Sequence, residues 1–454
     1  MRGQVGHSVA RALMHLGRLG EARRVLDTAL ADGERGSVRF DVGRAIRFAH
    51  LALTAEAGDL ARARAEMEAI EPYIGPASLH RPYLLDMRAT VDLAAGDLGA
   101  FNRTIAGLDQ PDVPPRVAED VATLKLRARV LRRSPPNDAD RSTHEASARF
   151  TGTPRLHLTE LLLRTGARAP ADVIRDLDRP IDNPDALACM RMVHAQAALL
   201  GGDPSAAQAE LTAAITDTHE AGYALREVEV RQLLCDVLLV RRAGAALAAA
   251  ATDLARMAEA MPSARFRHAA TLHGLAAAGA LDPGVIEALA AAGDAAPDTA
   301  IRARMLLGAE GIGDAVDRLV VGALVAETGW RAPNPVTGTP AAGARWTPGW
   351  GLDEARMAVW LPAGSTLDLT GHPVLWRLLL CLADHGGAAD KERIVRRVWD
   401  ERDYHPLRHD NRLQAAVRKL RRRLEDDASA PARLVTTSEG YALGGVVRRL
   451  RARR

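Results

Sequence analysis

The chain has 454 residues, and single cores stop growing at about 250 to 300 residues, so at least two folding units are expected. Hydrophobic residues make up 47% and charged residues 26%, which excludes a disordered chain, and no apolar run reaches the roughly 18 residues needed to span a bilayer. The formal charge of +3 is unevenly placed: from His372 onward 19 Lys and Arg face 11 Asp and Glu, against 41 and 46 before it, so the basic end suits a polyanion.

The stretch from Met1 to His7 lacks the apolar segment of a secretory signal. A cytoplasmic location and no membrane partner are expected. Cys189, Cys235 and Cys381 match neither a zinc site nor a disulfide framework and read as buried thiols in a reduced compartment. Only Lys125, Lys391 and Lys419 are lysines, so arginine is the default cation here and only its local excess carries information.

Residues 1–325 read as almost entirely helical. Apolar residues recur at helical spacing, as in Val9, Leu13 and Leu16 and then Val25, Leu26 and Leu30. The helices are paired through short turns such as Leu16-Gly-Arg-Leu-Gly-Glu-Ala22, Ala57-Gly-Asp-Leu-Ala-Arg-Ala63, Ala95-Gly-Asp-Leu-Gly-Ala100 and Leu200-Gly-Gly-Asp-Pro-Ser-Ala206. Glycine supplies a left-handed cap, Asp can cap the next helix, and Ala lets two helices approach. Gly17, Gly58 and Gly96 are 41 and 38 residues apart, and such a period predicts a mainly α helical-hairpin solenoid. With "GRLGEARRVLDTAL" at residues 17–30 and "AGDLARARAEMEAI" at 57–70, this region resembles tetratricopeptide-type repeats. The resemblance implies a concave surface for a protein or peptide partner or for a second copy in a homodimer; a plain scaffold is the other reading. Met1 falls inside the first hairpin with no polar capping helix before it. Either an upstream segment is missing or the repeats begin raggedly.

Residues 326–349 read as a Pro/Gly-rich linker, built around Arg331-Ala-Pro-Asn-Pro-Val-Thr-Gly-Thr-Pro340. All six tryptophans lie in the last 125 residues, which marks a change of architecture. Within 350–446, Met357–Leu361 and Ser365–Leu369 predict a hairpin. Thr370 is expected to cap a helix through Ala383 with Pro373 in its first turn, and Asp390 to cap a second through Trp399. An irregular loop over 400–407 precedes a third helix from about His409 to Asp426. Leu413, Val417, Leu420 and Leu424 form its core stripe; Asn411, Gln414, Arg418, Arg421 and Arg422 lie opposite, with Arg408 and Arg412 near its start. Glu425-Asp426-Asp427 at its end is disfavoured by the helix dipole, so the helix ends sooner or these acids are paired elsewhere. Leu434–Thr437 and Tyr441–Leu443 predict a second hairpin, with Gly440 supplying a positive φ. Residues 447–454 read as a basic tail, a disordered arm adding unspecific phosphate attraction.

The motifs "LDLT" at 367–370, "VW" at 398–399, "LRRRLE" at 420–425 and "GYAL" at 440–443 resemble, in order, the OmpR/PhoB-type winged helix-turn-helix output domain of bacterial transcription regulators. The resemblance implies a small α+β domain that binds double-stranded DNA, its third helix in the major groove. Carried over, Asn411, Gln414, Ala415 and Arg418 face bases, where Arg can read guanine and Asn or Gln adenine. Arg408, Arg421, Arg422, Thr436 and Thr437 suit phosphates. Residues 400–407 correspond to a loop that some members use to touch RNA polymerase. The chain departs from the family in its first helix near His372-Pro373, by one extra residue between "LT" and "VW", and at Thr437, where a basic residue is usual. With Glu439 beside it, that last departure argues against minor-groove contact by the wing.

No enzyme, cofactor, metal or catalytic residue is expected. The phosphate-cradling GxxxxGK[ST] loop and the zinc-binding HExxH are absent. "GIGDAV" at 311–316 lacks a preceding strand and a third glycine and reads as a helical turn. Pro406 and the loop context argue against a metal pair at His405/His409, and His268/His273 on an Ala-rich helix read as surface or core histidines. The leading reading is a sequence-specific transcription regulator with a repeat body; the alternative is a signalling or defence adaptor whose winged helix serves a protein contact.

Overall fold

Alanine and leucine at helical spacing, punctuated by Gly-Asp turns, fold as helices joined in pairs. The computed structural model describes residues 2–34, 40–75, 78–108, 113–137, 153–177, 181–337, 349–362 and 365–451. It comprises two units: Met1–Ala280 with Gly293–Thr299 and Ile312–Thr328, and Leu281–Ala292 with Ala300–Gly311 and Gly329–Arg454. Among the described residues no helix is long and apolar enough to cross a membrane.

The first unit begins with the hairpins α1 (Arg2–His15) and α2 (Leu19–Glu34), α3 (Phe40–Glu56) and α4 (Leu60–Ile70), and α5 (Arg81–Ala95) and α6 (Leu98–Ala106). It continues through α7 (Pro115–Arg132), α8 (Thr153–Arg164), α9 (Pro170–Asp176), α10 (Pro184–Leu200), α11 (Pro204–Ala221), α12 (Ala224–Val240), α13 (Gly244–Ala260) and α14 (Ala264–Ala277). The turn glycines Gly17, Gly58, Gly96 and Gly202 have φ of 71°, 82°, 82° and 85°, as the repeat pattern requires. Asp59, Asp97 and Asp203 each cap the next helix through backbone N–H groups. At Gly96 a side chain is excluded twice over, because a Cβ would also lie 2.4 Å from the Ala295 carbonyl oxygen. Each local core spans successive helices, as when Leu19, Ala22 and Leu26 of α2 pack with Ala10 and Ile46. Neighbouring hairpins thus bury one another, which is the physics of a repeat.

The interior of this unit also holds ion pairs. α12 is buried on nearly all sides, and its Arg226 and Glu229 meet Asp185 and Arg265 at 2.7 and 2.9 Å. Burial alone would raise the Glu229 carboxyl, but Arg226, Arg127 and Arg265 hold it well below the usual carboxylate range. Burial pushes the Cys189 thiol up to about 12, so it acts as a small apolar group. His273 is buried within 3.3 Å of Asp236, the core rather than the surface of the two expected settings.

Next come α15 (Pro283–Ala291), α16 (Pro297–Leu306) and α17 (Ala315–Thr328). "GIGDAV" leads into α17 and is not the helical turn expected of it: Gly311–Asp314 are an irregular approach, only Ala315 and Val316 are helical, and Asp314 accepts the Asp317 N–H at 2.9 Å at the helix start.

The second unit carries two sheets. The first, in the order β1-β8-β2-β3-β4, joins β1 (Asn334–Thr337), β2 (Trp350–Asp353), β3 (Ala358–Trp360), β4 (Thr366–Asp368) and β8 (Val447–Leu450). β3 and β4 form the predicted hairpin, with Ala358 opposite Asp368. The second, β5-β7-β6, joins β5 (Ala388–Asp390), β6 (Leu434–Thr436) and β7 (Gly440–Leu443). Between them stand α18 (Pro373–Asp384), α19 (Lys391–Trp399) and α20 (Pro406–Leu424). Leu378, Leu382, Ile394, Val398, Leu413, Val417 and Leu420 share one core.

Four sequence expectations are corrected here. The basic tail is not a free arm over Val447–Leu450: β8 runs parallel to β2 inside the sheet, Arg448 pairs with Glu287 of α15 at 2.9 Å, and Arg449 with Glu354 and Asp384. Buried arginines need such partners, and residue numbers alone gave no sign of them. The expected linker contains the buried Trp330, whose indole N–H donates to the Leu306 carbonyl at 2.8 Å, and then β1; residues 338–348 lie outside the described residues. α18 starts at Pro373 with His372, not Thr370, as its N-cap, because Thr370 is held in a turn by the Asp368 carboxylate. Gly440 has no positive φ. It is required because a Cβ there would lie 2.2 Å from the Ala389 carbonyl oxygen on the neighbouring strand.

Candidate nucleic-acid interface

α19 and α20 are consecutive helices joined by a short turn. Asp390 caps α19 by accepting the Arg393 N–H at 2.7 Å, and Asp400 ends it in the left-handed region at φ 59°. Pro406 opens α20 three residues before the predicted start, at a position where its missing N–H costs nothing. The turn is tied down by Asp410, which accepts from Lys391 at 2.9 Å and from the Tyr404 hydroxyl. Those two partners, Tyr404 first, hold its carboxyl below the usual range. The buried His409 ring accepts the His405 N–H at 2.9 Å, so this histidine pair serves the turn.

Helix α20 has seven basic residues and one acid over Pro406–Leu424. His409, Leu413, Val417, Leu420 and Leu424 are buried, which leaves the other faces to solvent. At about 100° per residue, Asn411, Gln414, Ala415, Arg418 and Arg422 fall in one file opposite the leucines. All five are exposed, and among the described residues none of these polar side chains makes a hydrogen bond or ion pair. Arg408, Arg412, Lys419 and Arg423 occupy one flank of the file. Lys419 and Arg423 are not among the positions that the family resemblance implies, although helical spacing alone places them on this flank.

Other predicted positions are already engaged. Arg408 and Arg412 each lie 3.7 Å from Glu401, and the Arg412 guanidinium stacks 4.8 Å from the Trp399 ring. Arg421 is half-buried on the flank facing the second hairpin. It donates to the Leu434 carbonyl at 2.9 Å and to the Thr436 hydroxyl at 2.8 Å, so it joins helix to wing. The Thr437 hydroxyl accepts the Gly440 N–H at 3.0 Å and closes the wing turn.

Both solutions foreseen for the acidic end of the helix occur together. α20 stops at Leu424, and the Glu425 carboxylate accepts the N–H groups of Ala432, Arg433 and Leu434 at 3.0, 2.9 and 2.7 Å. Asp426 pairs with Arg433 at 2.8 Å, and Asp427 accepts from Ser429. These acids anchor the start of the wing and neutralise nothing on the exposed file.

The arrangement is a helix presenting amide and guanidinium groups that have no partner among the described residues. Such groups match the donor and acceptor edges of base pairs, and the flanking cations match phosphates. No curated protein is matched by the chain. Residues 366–443, from β4 through β7, match the family described as "Transcriptional regulatory protein, C terminal", so over this segment the chain is similar to the OmpR/PhoB-type winged-helix domain of DNA-binding transcriptional regulators.

Proposed function

We propose that the chain is a sequence-specific DNA-binding transcriptional regulator that reads the major groove with α20. The observation that carries this reading is the file of Asn411, Gln414, Ala415, Arg418 and Arg422, exposed and without a side-chain partner among the described residues, within the family-matched segment. Asn411, Gln414 and Arg418 serve base edges, with Ala415 against a thymine methyl; Arg408, Arg412 and Arg422 serve phosphates. Arg421, Thr436 and Thr437 act at the helix–wing junction, where their free donors reach the backbone of the same groove. From Asn411 to Arg422 the file rises about 16 Å, enough to cross a groove about 12 Å wide.

The 400–407 turn is a contact for RNA polymerase in this reading, supported by Leu407, which is 88% exposed at its end. The helical body binds a protein or peptide partner or a second copy of the chain. Fluorescence anisotropy of the full chain against DNA selected from a random pool tests the reading role. Wild type and Arg418→Ala binding every fragment equally would remove it.

A further inference from the structure

A cavity of about 530 Å³ lies within the first unit, a volume in the range of small-molecule sites. Its lining is mixed. Met14, Ala49, Ala52 and Met87 give it an apolar floor, and Phe48 and Tyr83 contribute aromatic rings. Phe48 is set beside His80 with ring centroids 6.4 Å apart. The charged lining is mostly acidic, with Glu56, Asp86, Asp120 and Asp185 against Arg11.

The carboxylates are not equivalent. Asp185 is committed to Arg226 at 2.7 Å. Glu56, at the end of α3, is half-buried on the wall and makes no hydrogen bond or ion pair among the described residues. Desolvation first and Asp185 second push its carboxyl up to about 7, against the opposing pull of Arg226 and Arg127. Burial and Arg11 lower the pKa of His7, so this ring is neutral at neutral pH and adds no positive charge to the wall.

We propose that this cavity binds a small organic cation, an ammonium group carried on an apolar body, with Glu56 as the counter-ion of the head and the Phe48 and Tyr83 rings lining the space for the body. An ammonium group relieves the desolvated carboxylate, and aromatic rings supply large apolar area for the body that carries it. An anion meets Glu56 and Asp86 with like charge. A neutral apolar ligand fills the floor but leaves Glu56 without a partner. The inference stands apart from the DNA-binding reading, because its readout is ligand binding to the helical body alone.

Isothermal titration of the full chain with three probes of one shape tests it: 2-phenylethylammonium, 2-phenylethanol and phenylacetate. The cation is expected to bind saturably and at least tenfold more tightly than the alcohol, with phenylacetate weakest. Glu56→Gln should lower affinity for the cation at least tenfold and leave the alcohol unchanged. Tyr83→Leu, on the exposed rim, should weaken the cation at least threefold, and it keeps the test open should Glu56→Gln lose helical content. Equal affinity for all three probes, preference for phenylacetate, no saturable binding of any probe, or indifference of the cation to both variants overturns the proposal.

Discussion

At the scale of single residues, function on α20 depends on which side chains the protein has already used. Arg418 is exposed and uncommitted, whereas Arg421 is bonded to Leu434 and Thr436, though both are arginines three residues apart on one helix. A well-placed Arg–guanine pair discriminates by about 1–3 kcal/mol. Arg418→Ala should therefore weaken binding to a preferred fragment roughly 5- to 150-fold while changing binding to unrelated DNA far less, as measured by anisotropy at fixed salt. Glu56 gives a second residue-scale prediction. Its folded carboxyl is raised to about 7 from 4.5, so between these values the folded chain keeps a proton that the unfolded chain has released. Its contribution to stability is full below pH 4.5 and is lost as pH rises towards 7. The fall in melting temperature between pH 5 and 7.5 should be smaller in Glu56→Gln than in wild type, and equal slopes would refute the assignment.

At the scale of elements, the helical hairpins were legible because their turns are chemical. A left-handed φ at Gly17, Gly58, Gly96 and Gly202 and caps from Asp59, Asp97 and Asp203 are local requirements, and local requirements leave a mark in sequence. The core stripe of α20 was legible for the same reason, since Leu413, Val417, Leu420 and Leu424 follow the helical period. The wing was read correctly in place but for the wrong cause at Gly440. A positive φ belongs to one residue, while the approach of Ala389 belongs to another strand. Gly440→Ala separates these causes: relief of the 2.2 Å approach requires β5 to move from β7, with a cost of about 1–3 kcal/mol. Chemical denaturation followed by tryptophan emission should show that loss, and an unchanged midpoint would mean that the strands separate freely.

At the scale of the whole molecule, tryptophan emission has a useful selectivity, because all six tryptophans fall from Trp330 onward, in the unit that carries the winged helix. That unit also takes in α15, tied to β8 by the buried Glu287–Arg448 pair and to the residue preceding β2 by the Gly349 N–H, which donates to Glu287 at 2.7 Å. Removing one partner of a buried ion pair typically costs about 3–5 kcal/mol, since the other charge is left unsolvated. Glu287→Ala should shift the emission-detected transition of the full chain to lower denaturant by that amount, although Glu287 lies nearly 80 residues before the family-matched segment. An emission transition identical to wild type would show that α15 is dispensable to the unit.

The sequence by itself determined whatever repeats or acts over a few residues: paired helices, their caps, the amphipathic face of α20, and the ordered motifs of a DNA-binding domain. Tertiary structure alone decided which charges are spent. Arg448 and Arg449 read as part of a solvated tail and became the middle of a sheet, while Glu425 read as a misplaced acid and became the anchor of the wing. The physical reason is common to both. A charge in sequence is only a donor or acceptor awaiting a partner, and its partner is supplied by an element remote along the chain.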